Sequence, residues 1–268
     1  MPRASARIVL LSFLLVVSAD CSGGDTEEGP STGGGATPTA ATGSTGPTGT
    51  GPSGATSIAE AQPLANGPLV PGVYAIERFG EPMTITLGEG WEAFVYEEPD
   101  KNETRVGEFV ALFNAEHPAA NVAFLLPTRV VDHEKDWDEQ GNLAPLPNDL
   151  VAWFAEHPLH DAGATSETTI AGRPATFLDM SVADVPKNGW PACGGACVLW
   201  FPVSVDREEG PLTTEDLVFG GALDEVDRQI VLEVGGRQLL IDIGASDQES
   251  WDAFLPLAEE VLATLTIG

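Results

Sequence analysis

The chain has four histidines, and three of them, His133, His157 and His160, form the set that could ligate zinc, with Asp132, Glu134 and Asp161 beside them. A catalytic zinc takes three protein ligands and keeps a fourth position open for water, so this set would make the chain a metal-dependent hydrolase. The spacing argues against it. His157-Pro158-Leu159-His160 is not the HExxH of a metallohydrolase helix, and Pro158 interrupts any helix that would carry both imidazoles on one face. The plainer reading places His157 at a helix C-terminus, where the partial negative charge of the helix end favours it.

A second cluster is acidic. Asp132, Glu134, Asp136 and Asp138 precede Gly141, and counting from Asp136 the run gives Asp, Asp138, Gln140 and then the glycine of a calcium loop. An EF-hand needs a bidentate glutamate at its twelfth position, where this chain has Pro147. A looser oxygen cage for calcium is the alternative to a solvated acidic loop, and no other cofactor is expected.

The cysteines are Cys21, Cys193 and Cys197. The last two flank Gly194-Gly195-Ala196, a spacing that lacks both the CxxC of a redox motif and the second pair of a zinc ribbon. In an oxidising compartment they are expected to form a local disulfide that shapes a loop, because closing so short a loop removes little chain entropy. No GxSxG, phosphate-binding loop, GxGxxG or SxxK stands in a usable context. Trp137, Trp190 and Trp200 could line a sugar or peptide groove, although aromatics in such positions more often cap a core.

Those residues need elements to position them. Met83–Leu87 alternates apolar and polar residues as a half-buried strand does, and Trp91–Tyr96 continues after the Gly88-Glu89-Gly90 turn. Phe109–Phe113, Val122–Leu126 and Val198–Val205 are further strand-like runs. Asn148 and Asp149 offer N-caps for a short helix over Leu150–Glu156, ended by His157-Pro158. Ser166–Ile170 and Ala175–Val182 flank a turn at Ala171-Gly172-Arg173-Pro174, and Gln229–Val234 and Arg237–Ile243 flank Gly235-Gly236, a two-residue hairpin signal. Residues 130–147, 183–197 and 206–227 read as loops. Ser246-Asp247-Gln248-Glu249 has the form of a capping box. After it, Trp251, Phe254, Leu255, Ala258, Val261, Leu262 and Leu265 make one helical stripe that must pack on a sheet.

The N-terminus reads as an export signal. Arg3 and Arg7 precede the ten apolar or small residues Ile8–Val17, too few to span a bilayer, which takes about 20. Ser18-Ala19-Asp20-Cys21 resembles the bacterial lipobox, in which the cysteine is lipidated and becomes the mature N-terminus; Asp20 stands where a small residue is usual. The alternative cut falls before Asp20 and yields a secreted soluble chain. From Ser22 to about Ser57 nearly every residue is Gly, Ser, Thr, Pro or Ala, a composition that buries too little apolar surface to offset the entropy of ordering. Some 40 residues of such a spacer span roughly 35 Å. Residues 1–20 are thus read as signal peptide, 21–60 as tether and 61–268 as a single globular domain. The tether favours an extracytoplasmic domain anchored to the cell membrane through Cys21.

Net charge is −29, from 41 acidic and 12 basic residues. A surface of that sign repels phosphate backbones and anionic headgroups, which excludes nucleic acid and leaves the lipid as the contact with membrane. It suits cations or basic partners, and equally simple solubility.

Many antiparallel strands, few helices and a long helix last predict an α+β fold. Met83–Trp91, Thr168–Met180 and Arg228–Ile267 together resemble the PsbP-like fold family. The resemblance implies an antiparallel sheet with packed helices, an α/β/α sandwich, and an accessory or interaction role rather than catalysis. The signal, Cys21 and spacer resemble those of an actinobacterial-type envelope lipoprotein. The expectation is a lipid-anchored, non-catalytic binding domain of the cell envelope whose partner is an envelope protein or a small ligand. The alternative is the hydrolase built on His133, His157 and His160.

Overall fold

The computed structural model describes residues 60–96, 104–105, 107–132, 142–183, 185, 197–205 and 217–268. Along the chain the strands are β1 (Gln62–Pro63), β2 (Gly67–Pro68), β3 (Gly72–Ile76), β4 (Met83–Leu87), β5 (Trp91–Val95), β6 (Thr104–Arg105), β7 (Gly107–Asn114), β8 (His117–Pro127), β9 (Arg129–Asp132) and β10 (Asn142–Pro145). Helix α1 (Leu150–Glu156) follows, then β11 (His160–Ala162), β12 (Ser166–Ile170), β13 (Arg173–Val182), β14 (Cys197–Val205), β15 (Leu217–Ala222), β16 (Val226–Val234) and β17 (Arg237–Ala245). Helix α2 (Gln248–Leu262) and β18 (Thr266–Ile267) close the chain.

A nine-stranded sheet runs through the middle in the order β11–β13–β16–β17–β8–β7–β5–β2, with β12 hydrogen-bonded to β13. Its centre is the β16–β17 hairpin. Gly235 and Gly236 both take positive φ, 57° and 74°, the conformation a two-residue turn between twisted strands demands. That turn sets Val234 opposite Arg237 and, further along, Gln229 opposite Asp242 and Asp227 opposite Gly244. From Leu239 to Ala245 every residue of β17 is buried, because both faces of the sheet are covered.

Two cores result. On one face Leu239, Ile241 and Ile243 of β17 meet Phe124 of β8, Trp91 of β5 and the α2 stripe of Trp251, Phe254, Ala258, Val261 and Leu262. The small sheet β1–β3–β4–β18 packs on the same side. On the other face Leu240 meets Leu178, Phe154 of α1, and Val198, Trp200 and Phe201 of β14. Arg228 ties the first layer together: its guanidinium donates to Asp179 at 2.6 and 2.9 Å and to Glu259 of α2 at 2.7 Å, lying 4.6 Å from the Phe177 ring centre. A planar fork of donors can serve both carboxylates at once, which a lysine cannot.

The expected α+β sandwich is corrected by this architecture. The molecule is mostly β, in several largely antiparallel sheets, and helices of 7 and 15 residues are the only ones among the described residues. The outer layers are themselves sheets in large part. β15 lies within the segment expected to be irregular, 206–227, and pairs with β14. β9 and β10 pair across the expected 130–147 loop, with Val130, Val131 and Leu143 buried. Both departures have one cause: short runs of two or three apolar residues become strands when a neighbouring edge supplies hydrogen bonds, and nothing local announces that edge. α1 spans Leu150–Glu156 with Asp149 as cap, as its sequence predicts. The cap of α2 is Asp247, whose carboxylate accepts from Ser250 N–H, rather than Ser246, whose hydroxyl donates to Asp247.

Candidate functional site

The residues with the most unusual environment are three carboxyls that the β16–β17 hairpin and its approach bring together. Asp227 and Asp242 are each 1% exposed and Gln229 is fully buried. They share a sheet face because strand side chains alternate and Gln229 pairs with Asp242 while Asp227 pairs with Gly244. Glu225 enters from the turn between β15 and β16, one carboxylate oxygen accepting from Ala222 N–H. Across β17, Asn121 of β8 lies opposite Gly244.

The meeting point is Gly244. A Cβ built there would stand 2.9 Å from Asp227 Oδ1, 3.3 Å from Asp242 Oδ2 and 3.3 Å from Glu225 Oε1. Gln229 Nε2 donates to Asp242 Oδ1. Both oxygens of Asp227, Gln229 Oε1 and Asn121 Oδ1 have no partner among the described residues. Burial pushes the Asp227 and Asp242 carboxyls well above the usual range, and the neighbouring carboxylates add to it; Glu225 is driven by burial up to about 7, partly offset by the Ala222 hydrogen bond. No cationic group is among the causes, and Arg228, the nearest in sequence, points to the opposite face. Such a cluster holds protons more readily than ordinary surface carboxylates do. General acid–base catalysis would need hydrogen-bond reach to a substrate, which burial denies to Asp227 and Asp242.

The histidine set is placed differently from a zinc centre. His157 and His160 stack face to face, 4.2 Å between ring centres. His160 Nδ1 donates to Phe154 O at 3.2 Å and its Nε2 accepts from Trp200 Nε1–H at 3.0 Å, so both ring nitrogens are engaged and no lone pair is left for a metal. Among the described residues no group of three or more His, Cys, Asp or Glu side chains forms a ready metal cluster. Asp161 sits on β11, exposed. Asp132 ends β9, where its backbone pairs with Asn142. His133, Glu134, Asp136, Asp138, Trp137, Trp190 and Cys193 lie outside the described residues, as do Cys21 and the signal peptide. Cys197 opens β14 and is buried; the bridge expected to Cys193 therefore falls outside the described residues. Trp200 is fully buried in the second core, so it lines no groove.

Two open grooves stand out on the surface of the described residues. One, about 590 Å³, runs over Leu64, Ile76, Val95 and Val110, with Arg78 and Glu108 at its rim. The other, about 580 Å³, lies between the β12–β13 hairpin and the end of α2, over Ile170, Phe177, Ile230, Leu262 and Leu265. Arg78 donates to Tyr96 O at 2.6 Å and Arg228 is held by Asp179 and Glu259, so both cations are already committed to the fold.

Sequence reasoning missed the carboxyl cluster, although a signal was there: Asp242 stands between Ile241 and Ile243 in the most apolar strand of the chain. No helix among the described residues is long and apolar enough to cross a membrane. No family model matches the chain, and neither does any curated protein. Among solved structures the chain is similar to cyanobacterial PsbP (CyanoP) from Synechocystis sp. PCC 6803, at 12% sequence identity and a TM-score of 0.37, over 73% of this chain and 91% of that one.

Proposed function

We propose that the chain is an extracytoplasmic accessory domain, anchored at Cys21, carried on the 21–60 tether, and serving to bind an envelope protein or a small ligand rather than to turn over a substrate. The observation that carries the binding half is where the chemically capable side chains end up. His160 is saturated by Phe154 and Trp200, and Asp227 and Asp242 are buried inside a sheet layer, with Glu225 half-buried beside them. Among the described residues, grooves of mixed polar and apolar lining face solvent, with their arginines committed to the fold. The anchoring half rests on the N-terminal sequence: a short apolar core, a lipobox-like cysteine and a spacer that has a use only when one end is fixed.

Fractionation of a lipoprotein-processing host tests this reading. The full chain is expected in the membrane fraction, released by detergent and not by high salt, because a −29 chain gains nothing from anionic headgroups. Cys21→Ser is expected to move it out of that fraction. Wild-type chain recovered only as soluble secreted protein would mean that cleavage before Asp20 prevails and the anchor is absent.

A further inference from the structure

The nine-stranded sheet ends differently on its two sides. On one side the last strand is β2, two residues long, one of them Pro68. Short strands and prolines are how folded proteins blunt an edge that would otherwise pair with another chain. On the other side the edge is carried by β11 and β12, both paired to β13. β12 has five residues, Ser166–Ile170, without proline or lysine, and its Thr-Thr-Ile run favours extended backbone.

The turn after β12 decides which groups that edge offers. Ala171 and Gly172 take positive φ, 52° and 76°, as the two residues of a tight hairpin do, so Ile170 and Arg173 form a hydrogen-bonded pair. Bonded and non-bonded pairs alternate along an antiparallel ladder. Ser166, Thr168 and Ile170 therefore turn their N–H and C=O groups toward β13, and Glu167 and Thr169 turn theirs away. Pro174, which has no N–H to give β12, stands opposite Thr169, a non-bonded position. Glu167 and Thr169 are exposed, and no strand pairs with their outward groups among the described residues.

Beside this edge, on the α2 face of the sheet, lies the groove of about 580 Å³, with Thr168 and Ile170 on its rim over Phe177, Ile230, Leu262 and Leu265. Side chains alternate between faces of a strand, so Glu167 lies on the face away from the groove. Neither 161–183 nor 226–268 contains a lysine. Arg173 is held by Glu81, and Arg228 by Asp179 and Glu259. The edge is thus acidic, on a chain whose net charge is −29.

We propose that the outer edge of β12 takes an extended segment of a partner protein as an added strand, with apolar side chains in the groove and alternate, basic side chains beside Glu167. The proposal rests on the binding half of the function proposed above and not on the anchor. The outward backbone groups of Glu167 and Thr169 supply hydrogen bonds, and the groove selects side chains, the division of labour of strand addition. A second copy of the chain is disfavoured as occupant, because pairing β12 with β12 sets acidic edges of two highly negative chains against each other.

The test uses the full mature chain in detergent and a short capped peptide of alternating valine and lysine. Amide exchange at Glu167 and Thr169 is expected to be fast in the free chain and slowed about tenfold or more by the peptide at about 1 mM. A peptide with glutamate for lysine, and one N-methylated at alternate backbone nitrogens, are each expected to bind about tenfold more weakly. Thr169→Pro removes an outward N–H and leaves the ladder to β13 intact; it is expected to weaken binding about tenfold at an unchanged melting temperature. Glu167→Lys is expected to weaken the lysine peptide and favour the glutamate one. No slowing at Glu167 and Thr169 would overturn the proposal. So would equal binding of the N-methylated or the glutamate peptide, undiminished binding by Thr169→Pro, or a free chain that sediments as a dimer with both amides already slow, which would give the edge to a second copy. Should Thr169→Pro fail to fold, the N-methylated peptide and Glu167→Lys decide. A failure here removes strand addition and leaves the fractionation result standing; a chain found unanchored there leaves this edge as it is.

Discussion

Phe254→Ala is expected to lower the unfolding free energy by about 3–5 kcal/mol, the usual cost of deleting a fully buried aromatic side chain. Phe254 is completely enclosed. Its ring lies 6.2 Å from Trp91 and 5.6 Å from His117, centre to centre, so one side chain on α2 is wedged between β5 and the start of β8. Removing it leaves a cavity that the sheet cannot close, because the neighbours sit on paired strands whose registers are set elsewhere. A domain of this size is stable by only about 5–15 kcal/mol, so the loss should be visible as a clear fall in the urea midpoint at unchanged slope. A loss below about 1 kcal/mol would mean that α2 does not pack as described.

The second large effect is on pH dependence in chelator. Glu225 titrates near 4.5 in an unfolded chain and at about 7 in the folded one; Asp227 and Asp242 move in the same direction. Between those values the folded state holds protons that the unfolded state has released. Stability must then fall as pH rises: the advantage is complete below about 4.5 and is lost progressively through 7 and beyond. Glu225 is coupled to the two aspartates, so the slope is a property of the cluster rather than of one residue. Glu81 and Asp247 act oppositely. Arg173 holds Glu81 low and the Ser250 N–H holds Asp247 low, so what they contribute is present at neutral pH and lost only as pH falls below the ordinary carboxylate range. General self-repulsion of so acidic a chain also grows with pH, but salt screens it. Denaturant midpoints from pH 5 to 8.5 in chelator and 0.5 M salt should therefore decline, and Glu225→Gln should flatten the decline. Midpoints that rise toward pH 8 would contradict the burial of these carboxyls.

The elements that were legible in the sequence are those whose signals are local. The Gly235-Gly236 turn predicts the β16–β17 hairpin, and the spacing from Trp251 to Leu262 predicts α2 and its buried face. Asp149 before Leu150 and Pro158 after His157 bound α1 on both sides. What was not legible is long-range. β14 finds β6 from the other half of the chain, a pairing that no sequence window detects. That is also why the helix-layered sandwich was expected where the covering layers are largely strands.

The cluster was half legible. An aspartate inside Leu239–Ile243 is out of place in a strand buried on both faces, and the two-residue turn alone puts Gln229 opposite it and Asp227 opposite Gly244. The histidines and the dense acidic run at 132–138 are the more conspicuous signals in the sequence. Isolated acids in apolar strands are the stronger sign, since a solvated run of carboxylates costs nothing and a buried one must be compensated. The contribution of Glu225 was not visible at all, because it depends on how the β15–β16 turn folds back over the sheet.

The proposed anchoring of the domain through Cys21 is tested most directly by the intact mass of the mature chain. Full-length protein is expressed in a host that processes lipoproteins, extracted with detergent, and weighed together with its N-terminal peptide. The account predicts a chain beginning at Cys21 with a diacylglyceryl group on its sulfur. A chain beginning at Asp20, or an unmodified Cys21, would contradict it.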